Sequence, residues 1–179
     1  MKIIIGLGNP GEKYTQTRHN AGFLALDFYM KDLQVINCAS KFDAQICELQ
    51  TDGNKVFFVK PQTFMNKSGS VVRELVQFYK LDPTKDILVV HDEKDLPLGS
   101  LKATESSQGA GHNGVQDIID ELGSQDFQRI RIGVETREPG SPIPTEVFVL
   151  QNFTDSELET LQKDVLPKVN EQISKFLNK

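Results

Sequence analysis

The chain has 179 residues, 38% of them hydrophobic and 25% charged, which suits a single domain with a real core at roughly 150 residues per domain and excludes charged, aromatic-poor disorder. Its 20 Lys and Arg against 25 Asp and Glu give a net charge of −5 and a pI near 5.2, which taken alone speaks against a nucleic-acid partner. The charge is uneven, however: residues 1–90 carry 11 basic and 9 acidic side chains (+2), whereas residues 91–179 carry 9 and 16 (−7).

Lys2 to Leu7 is an apolar run closed by glycines, the pattern of a strand buried on both faces. It stands where a charged leader would, and no apolar run approaches the roughly 18 residues of a membrane span. A cytoplasmic protein without membrane association is therefore expected, and Cys38 and Cys47, which lack metal or redox spacing, are expected to be reduced. Ala21 to about Asp32 reads as a helix. Ala44–Leu49 and Lys55–Lys60 flank Thr51-Asp52-Gly53-Asn54, a hairpin signature.

Ser68 to Tyr79 places Val71, Val72, Leu75, Val76 and Tyr79 at helical spacing, and Asp82-Pro83 ends it. Asp86 to His91 is a second buried strand, and a short strand runs through Leu101. After Gly109-Ala110-Gly111 a helix presents Val115, Ile118, Ile119 and Leu122. In Gln128 to Val134 the apolar Ile130, Ile132 and Val134 alternate with Arg129 and Arg131, so the arginines are expected on the exposed face. Thr154 and Glu157 form a capping box that opens a C-terminal helix, kinked near Pro167 and running to Leu177. The alternation of strands and helices predicts an α/β fold: one domain over residues 1–179, a three-layer α/β/α sandwich whose twisted sheet is mixed but mostly parallel.

Gly6-Leu7-Gly8-Asn9-Pro10-Gly11 has the spacing of a dinucleotide fingerprint. That motif needs a helix to begin at once, with its N-terminus on the pyrophosphate. Here Asn9-Pro10-Gly11 makes a turn and about ten polar residues intervene, so no nucleotide cofactor is expected.

All three histidines stand beside an amide or a carboxylate, as His19-Asn20, His91-Asp92 and His112-Asn113. No serine elbow, catalytic cysteine pattern or HExxH motif is present, so the chemistry that fits is hydrolysis with a histidine as general base. Asp92 is the carboxylate best placed to orient it. The amides of Asn9, Asn66 and Asn113 offer donors and an acceptor to backbone-like groups of a substrate. Asn9 as a turn residue, Asn66 as a helix N-cap, and His91 and His112 as structural residues are the competing readings. No metal site is expected, since the histidines lack i, i+4 spacing and no cysteine joins them.

These residues fall into blocks that resemble the bacterial-type peptidyl-tRNA hydrolase family: Gly6 to Gly11, Tyr14, Thr17-Arg18-His19-Asn20-Ala21-Gly22-Phe23, Lys60-Pro61 with Thr63-Phe64-Met65-Asn66 and Ser68-Gly69, His91-Asp92 with Asp95-Leu96-Pro97, Gly111-His112-Asn113-Gly114, and Arg129 to Gly133. The resemblance implies cleavage of the ester that joins a peptide to the 3′ end of tRNA, without metal or organic cofactor. The partner it implies is peptidyl-tRNA, engaged through its 3′ end and acceptor region. A monomer is expected, since the sequence shows no long exposed apolar stripe. The resemblance assigns His19 as general base, Asp92 as its orienting carboxylate and Asn9 as a discriminator of N-blocked substrate. Asn66 and Asn113 would hold the peptide backbone and ester end, and Tyr14 and Phe64 would line the site. His112 becomes a supporting residue, and His91 has no role.

Two departures concern RNA contact: Thr104 stands where such proteins commonly carry a second lysine after Lys102, and Glu105 adds a negative charge. Arg131 remains a candidate phosphate contact. Lys55, Lys60, Lys67 and Arg73, with no acid from Gly53 to Arg73, are expected to form a local basic face.

Overall fold

A computed structural model describes residues 1–51 and 53–179 of the chain. Seven strands form one sheet in the order β2-β3-β4-β1-β5-β7-β6. They are β1 (Lys2–Gly6), β2 (Cys38–Lys41), β3 (Ala44–Thr51), β4 (Asn54–Pro61), β5 (Ile87–Pro97), β6 (Leu101–Thr104) and β7 (Gln128–Glu135). The four central strands β4, β1, β5 and β7 are parallel. Three antiparallel pairings, β2 with β3, β3 with β4 and β6 with β7, flank them. Asp52, in the predicted hairpin turn, lies outside the described residues, but the β3–β4 ladder closes at Thr51 and Asn54.

Helices cover both faces, which is why the central strands are apolar on both sides. Under one face, Ile4, Leu88, Val90, Ile130 and Ile132 pack on α1 (Ala21–Asp32) and α7 (Leu166–Leu177). Under the other, Ile3, Ile5, Val89 and Phe127 pack on α2 (Ser68–Tyr79) and α4 (Asn113–Leu122). Three short helices complete the set: α3 (Pro83–Asp86), α5 (Thr145–Phe148) and α6 (Asp155–Thr160). The capping box of Thr154 and Glu157 opens α6. Between α6 and α7 the chain widens into a π-helical turn, Leu161–Val165. Pro167 explains the irregularity, since it has no N–H for the carbonyl four residues back.

Two expectations are corrected here. Cys38 and Cys47 are directly opposed in the β2–β3 ladder, 4.0 Å apart at Cα, and form a disulfide. The exposed strand Cys38-Ala39-Ser40-Lys41 shows no apolar alternation in the sequence, so the pairing that joins the cysteines was invisible there. Arg129 is not on an exposed face but buried, its guanidinium donating to Ser107 Oγ and to the carbonyls of Gln108 and Gln125.

Candidate active site

Parallel strands end together, and the loops that follow β1 and β4 meet the second half of β5 and the start of α4 at that carboxyl edge, where sites in open α/β sheets assemble. After β1 the chain makes two 3₁₀ turns, Glu12–Tyr14 and Arg18–Asn20, before α1 starts at Ala21. The glycine-rich loop therefore does not open a helix. Its glycines serve close packing instead: a Cβ on Gly6 would lie 2.5 Å from the Gly22 carbonyl oxygen at the start of α1.

Asn20 clamps the main chain of Asn9, accepting its N–H at 2.9 Å and donating to its carbonyl at 3.0 Å. Asn9 Oδ1 in turn accepts the Met65 N–H at 2.9 Å, which ties the loop after β1 to the turn before α2. With Oδ1 committed to Met65, the Asn9 amide keeps its N–H groups for a ligand. Asn20 and Met65 set this arrangement; the sequence pointed to Asn20 only as a neighbour of His19.

His19 lies in the second 3₁₀ turn, and its Nδ1 is 2.9 Å from Asp92 Oδ1 on β5. His112 Nε2 reaches the same oxygen, also at 2.9 Å. His112 is at the same time the N-cap of α4, its Nδ1 accepting the Val115 N–H. A ring nitrogen that accepts an N–H carries no proton, so His112 holds its hydrogen on Nε2 and donates it to Asp92. Asp92 therefore receives two N–H bonds, and His19 is left with Nε2 as a free acceptor at the cavity.

Burial opposes the charge on Asp92, but the fields of His19 and His112 and their hydrogen bonds outweigh it and hold the carboxyl well below the usual range. Burial also opposes charge on His19, yet Asp92 prevails and raises its pKa. His91 faces the other way, donating from Nδ1 to the Asp92 carbonyl at 2.6 Å with its ring edge-on to His112. Burial pushes its pKa well down, so its ring stays neutral.

The ligand atoms of His19, Asp92 and His112 lie within 4.8 Å of one another, so folding gathers the residue types of a metal site that the sequence spacing does not suggest. Their protons are those of a hydrogen-bonded trio, however. Ligation through His112 Nε2 would move its hydrogen to Nδ1 and break the cap on Val115.

His19, Asp92, His112 and Asn113 line a cavity of about 250 Å³, together with Glu93, Lys94, Thr145, Glu146 and Val149. Asn9 lines a second hollow of about 310 Å³, with Asn20, Phe23, Lys60 and Gln62 among its neighbours. Tyr14 is half-buried, while Phe64 and Asn66 are exposed in the turn before α2. Asn66 is not the helix N-cap, which is Lys67.

The expected basic features are largely neutralised. Arg131 is bound by Glu93 Oε2 through Nε at 2.9 Å and a terminal nitrogen at 2.7 Å. Lys60 and Arg73 pair with Asp27 and Glu121 from distant parts of the chain, and Lys55 pairs with Glu48 across the β3–β4 hairpin. Clustering along the sequence thus overstated the basic face, because tertiary contacts supply the missing acids.

An ionised carboxylate hydrogen-bonded to a histidine beside an open cavity, on the carboxyl edge of a parallel sheet, is an arrangement compatible with a hydrolase. The chain belongs to the peptidyl-tRNA hydrolase family, whose model, described as Peptidyl-tRNA hydrolase, matches residues 3–179. It is 47% identical to the peptidyl-tRNA hydrolase of Desulfitobacterium hafniense over 163 residues, covering 91% of this chain and 86% of that protein. Identity to the Fusobacterium nucleatum peptidyl-tRNA hydrolase is 43% over 178 residues, or 99% of this chain and 90% of that one. The crystal structure of the Acinetobacter baumannii peptidyl-tRNA hydrolase superposes with a TM-score of 0.84 at 32% identity, covering 99% of this chain and 93% of the other.

Proposed function

We propose that the protein hydrolyses the ester between a peptide, or an N-blocked aminoacyl group, and the 3′ end of tRNA, with His19 as general base. The observation that carries this reading is the sharing of Asp92 Oδ1 by His19 and His112, which leaves His19 Nε2 free at the cavity. His19 Nε2 takes a proton from water as the water oxygen bonds to the ester carbonyl carbon. The tetrahedral species then collapses with cleavage of the bond to the tRNA 3′ oxygen, and the imidazolium returns the proton to that oxygen. The products are a peptide acid and tRNA with a free 3′ hydroxyl.

Asp92 holds the His19 tautomer and stabilises the imidazolium. Asn113, exposed at the cavity, holds the ester end. Asn9 donates to the blocked amine's carbonyl, and Asn66 holds the peptide backbone. Tyr14 and Phe64 offer aromatic faces for the unpaired 3′ nucleotides. This chemistry suits a monomer in the cytoplasm that recycles tRNA from aborted translation.

The test is release of acid from N-acetyl-aminoacyl-tRNA by the purified protein and by His19→Ala. Release by the unmutated protein and a loss of about 10²- to 10⁴-fold in the variant are expected. No release by the unmutated protein sinks the reading.

A further inference from the structure

The main chain of His19, unlike its side chain, is hydrogen-bonded not to the sheet but to the segment that precedes the C-terminal helices. Its N–H donates to Val149 O at 2.8 Å and the Arg18 N–H to Gln151 O at 3.1 Å, while Phe153 N–H donates back to Gln16 O at 2.9 Å. Thr17 and Asn152 make an antiparallel bridge between the two stretches. The Arg18 side chain reinforces this ladder, donating to Asn152 O at 2.9 Å and lying 4.4 Å over the Phe148 ring.

The far end of the guanidinium meets Glu157, one nitrogen 2.8 Å from both carboxylate oxygens. Both side chains are largely buried. The same carboxylate accepts the Thr154 N–H at 2.7 Å, as the capping box of α6, and the Thr136 hydroxyl at 2.8 Å. Thr136 opens the segment that leads to α5, whose Thr145 and Glu146 line the cavity with His19. One carboxylate thus joins the turn that carries His19, the start of the facing wall and the first turn of α6. A capping box alone needs neither the arginine nor the threonine hydroxyl.

We propose that Glu157, acting through Arg18, is a positioning residue that holds His19 against Asp92 and fixes the wall of residues 136–149 beside it. No substrate contact is implied. Misplacement of a catalytic group by about 1 Å costs on the order of 10²-fold in rate, and a 2.9 Å hydrogen bond leaves little slack. The inference rests on the esterase reading only for its effect on rate, since the His19–Asp92 contact exists without substrate.

The experiment follows the His19 imidazole by NMR across pH in the native protein, in Glu157→Gln and in Arg18→Lys, and measures kcat and KM on N-acetyl-aminoacyl-tRNA for each. Glutamine keeps the capping-box acceptor but loses the charge, and lysine keeps the charge but cannot serve Glu157 and Asn152 together. The groups facing His19 are Asp92, Glu93 and Lys94 from β5, His112 from the start of α4, Glu146 from α5 and Arg18 on its own turn. Glu157→Gln removes a charge from this neighbourhood as well as a contact, whereas Arg18→Lys keeps both charges of the pair, so a change in titration in Arg18→Lys reports His19 moving in the field of these groups.

The expected result is a His19 midpoint lowered by about half a pH unit or more, with kcat down about 10- to 100-fold and KM little changed. An unaltered midpoint in Arg18→Lys, or a rate loss that merely follows the unfolded fraction, overturns the proposal. A lowered midpoint in a protein whose native form releases no peptide supports the positioning and removes the esterase reading.

Discussion

His112 Nε2 and Asp92 Oδ1 lie 2.9 Å apart while the other nitrogen of the same ring caps α4. One imidazole thus links the electrostatics of the site to the stability of a helix, and two substitutions separate these roles. In His112→Asn the short amide keeps the N-cap but cannot also reach Asp92; in His112→Ala both are lost. Hydrolysis should fall by a similar factor in the two variants. The alanine variant should be about 1 kcal/mol less stable than the asparagine variant in denaturant titrations. Equal stabilities would mean that the cap contributes nothing, and an unchanged rate in both that Asp92 does not need its second donor.

A base must be unprotonated to accept a proton from water, and Asp92 raises the His19 pKa above its ordinary value of about 6.5. The acid limb of the kcat/KM profile is therefore expected above pH ~6.5. In Asp92→Asn the charge goes while the shape stays, burial becomes the governing influence on His19, and the limb should move to lower pH. The plateau rate should fall as well, since the imidazolium formed in the reaction loses its counter-charge. A limb that stays in place would show that the titration seen in the rate is not that of His19.

Which parts of this architecture are legible in the sequence depends on whether their cause is local. Ser68–Tyr79 matches α2 residue for residue because its apolar spacing is helical and a turn signal follows. The capping box is legible for the same reason, as two residues three apart. The β2 strand and its disulfide are not, since the pairing comes from the β3 partner rather than from any alternation in Cys38–Lys41. The same holds at the site: the three histidine pairs stand out as composition and the family resemblance singles out His19, but what each ring nitrogen bonds to needs the fold. Only there is it seen that His112 spends Nδ1 on a helix cap, that His91 points to a main-chain carbonyl, and that Arg131 is held by Glu93.

His91 has a consequence for stability against pH. Burial depresses its pKa in the folded state, so its contribution is fully present above the unfolded value of about 6.5 and is lost as pH falls below it, toward the depressed folded value. His19, whose folded pKa is raised, acts in the opposite direction and gains stability over the same descent. Comparison of the native protein with His91→Asn, which retains an N–H for the Asp92 carbonyl, isolates the first effect. Between pH 7 and 5 the Tm of the native protein should fall more steeply than that of the variant. Parallel curves would mean that His91 takes up a proton without unfolding.

The first turn of α1 sits so close to the sheet that Gly22 leaves no room for a methyl group: a Cβ there would lie 2.3 Å from Val90 O and 2.5 Å from Leu7 N. Both neighbours are backbone atoms of the site's floor, two residues from Asp92 and from Asn9, so neither can yield as a flexible side chain would. Gly22→Ala should push α1 and the preceding His19 turn away from β5. The stability loss expected is about 3 kcal/mol, at the upper end for overpacking, or a fall in Tm of roughly 6–12 °C for a chain of this length. Gly140, where a Cβ meets nothing within 4 Å and only the positive φ of 82° resists a side chain, provides the contrast. Gly140→Ala should cost about 1 kcal/mol and leave His19 in place. Differential scanning calorimetry of both variants, with peptide release measured well below each Tm, separates displacement of the site from simple strain. If Gly22→Ala is as stable and as active as the native protein, the close seating of α1 does not position His19.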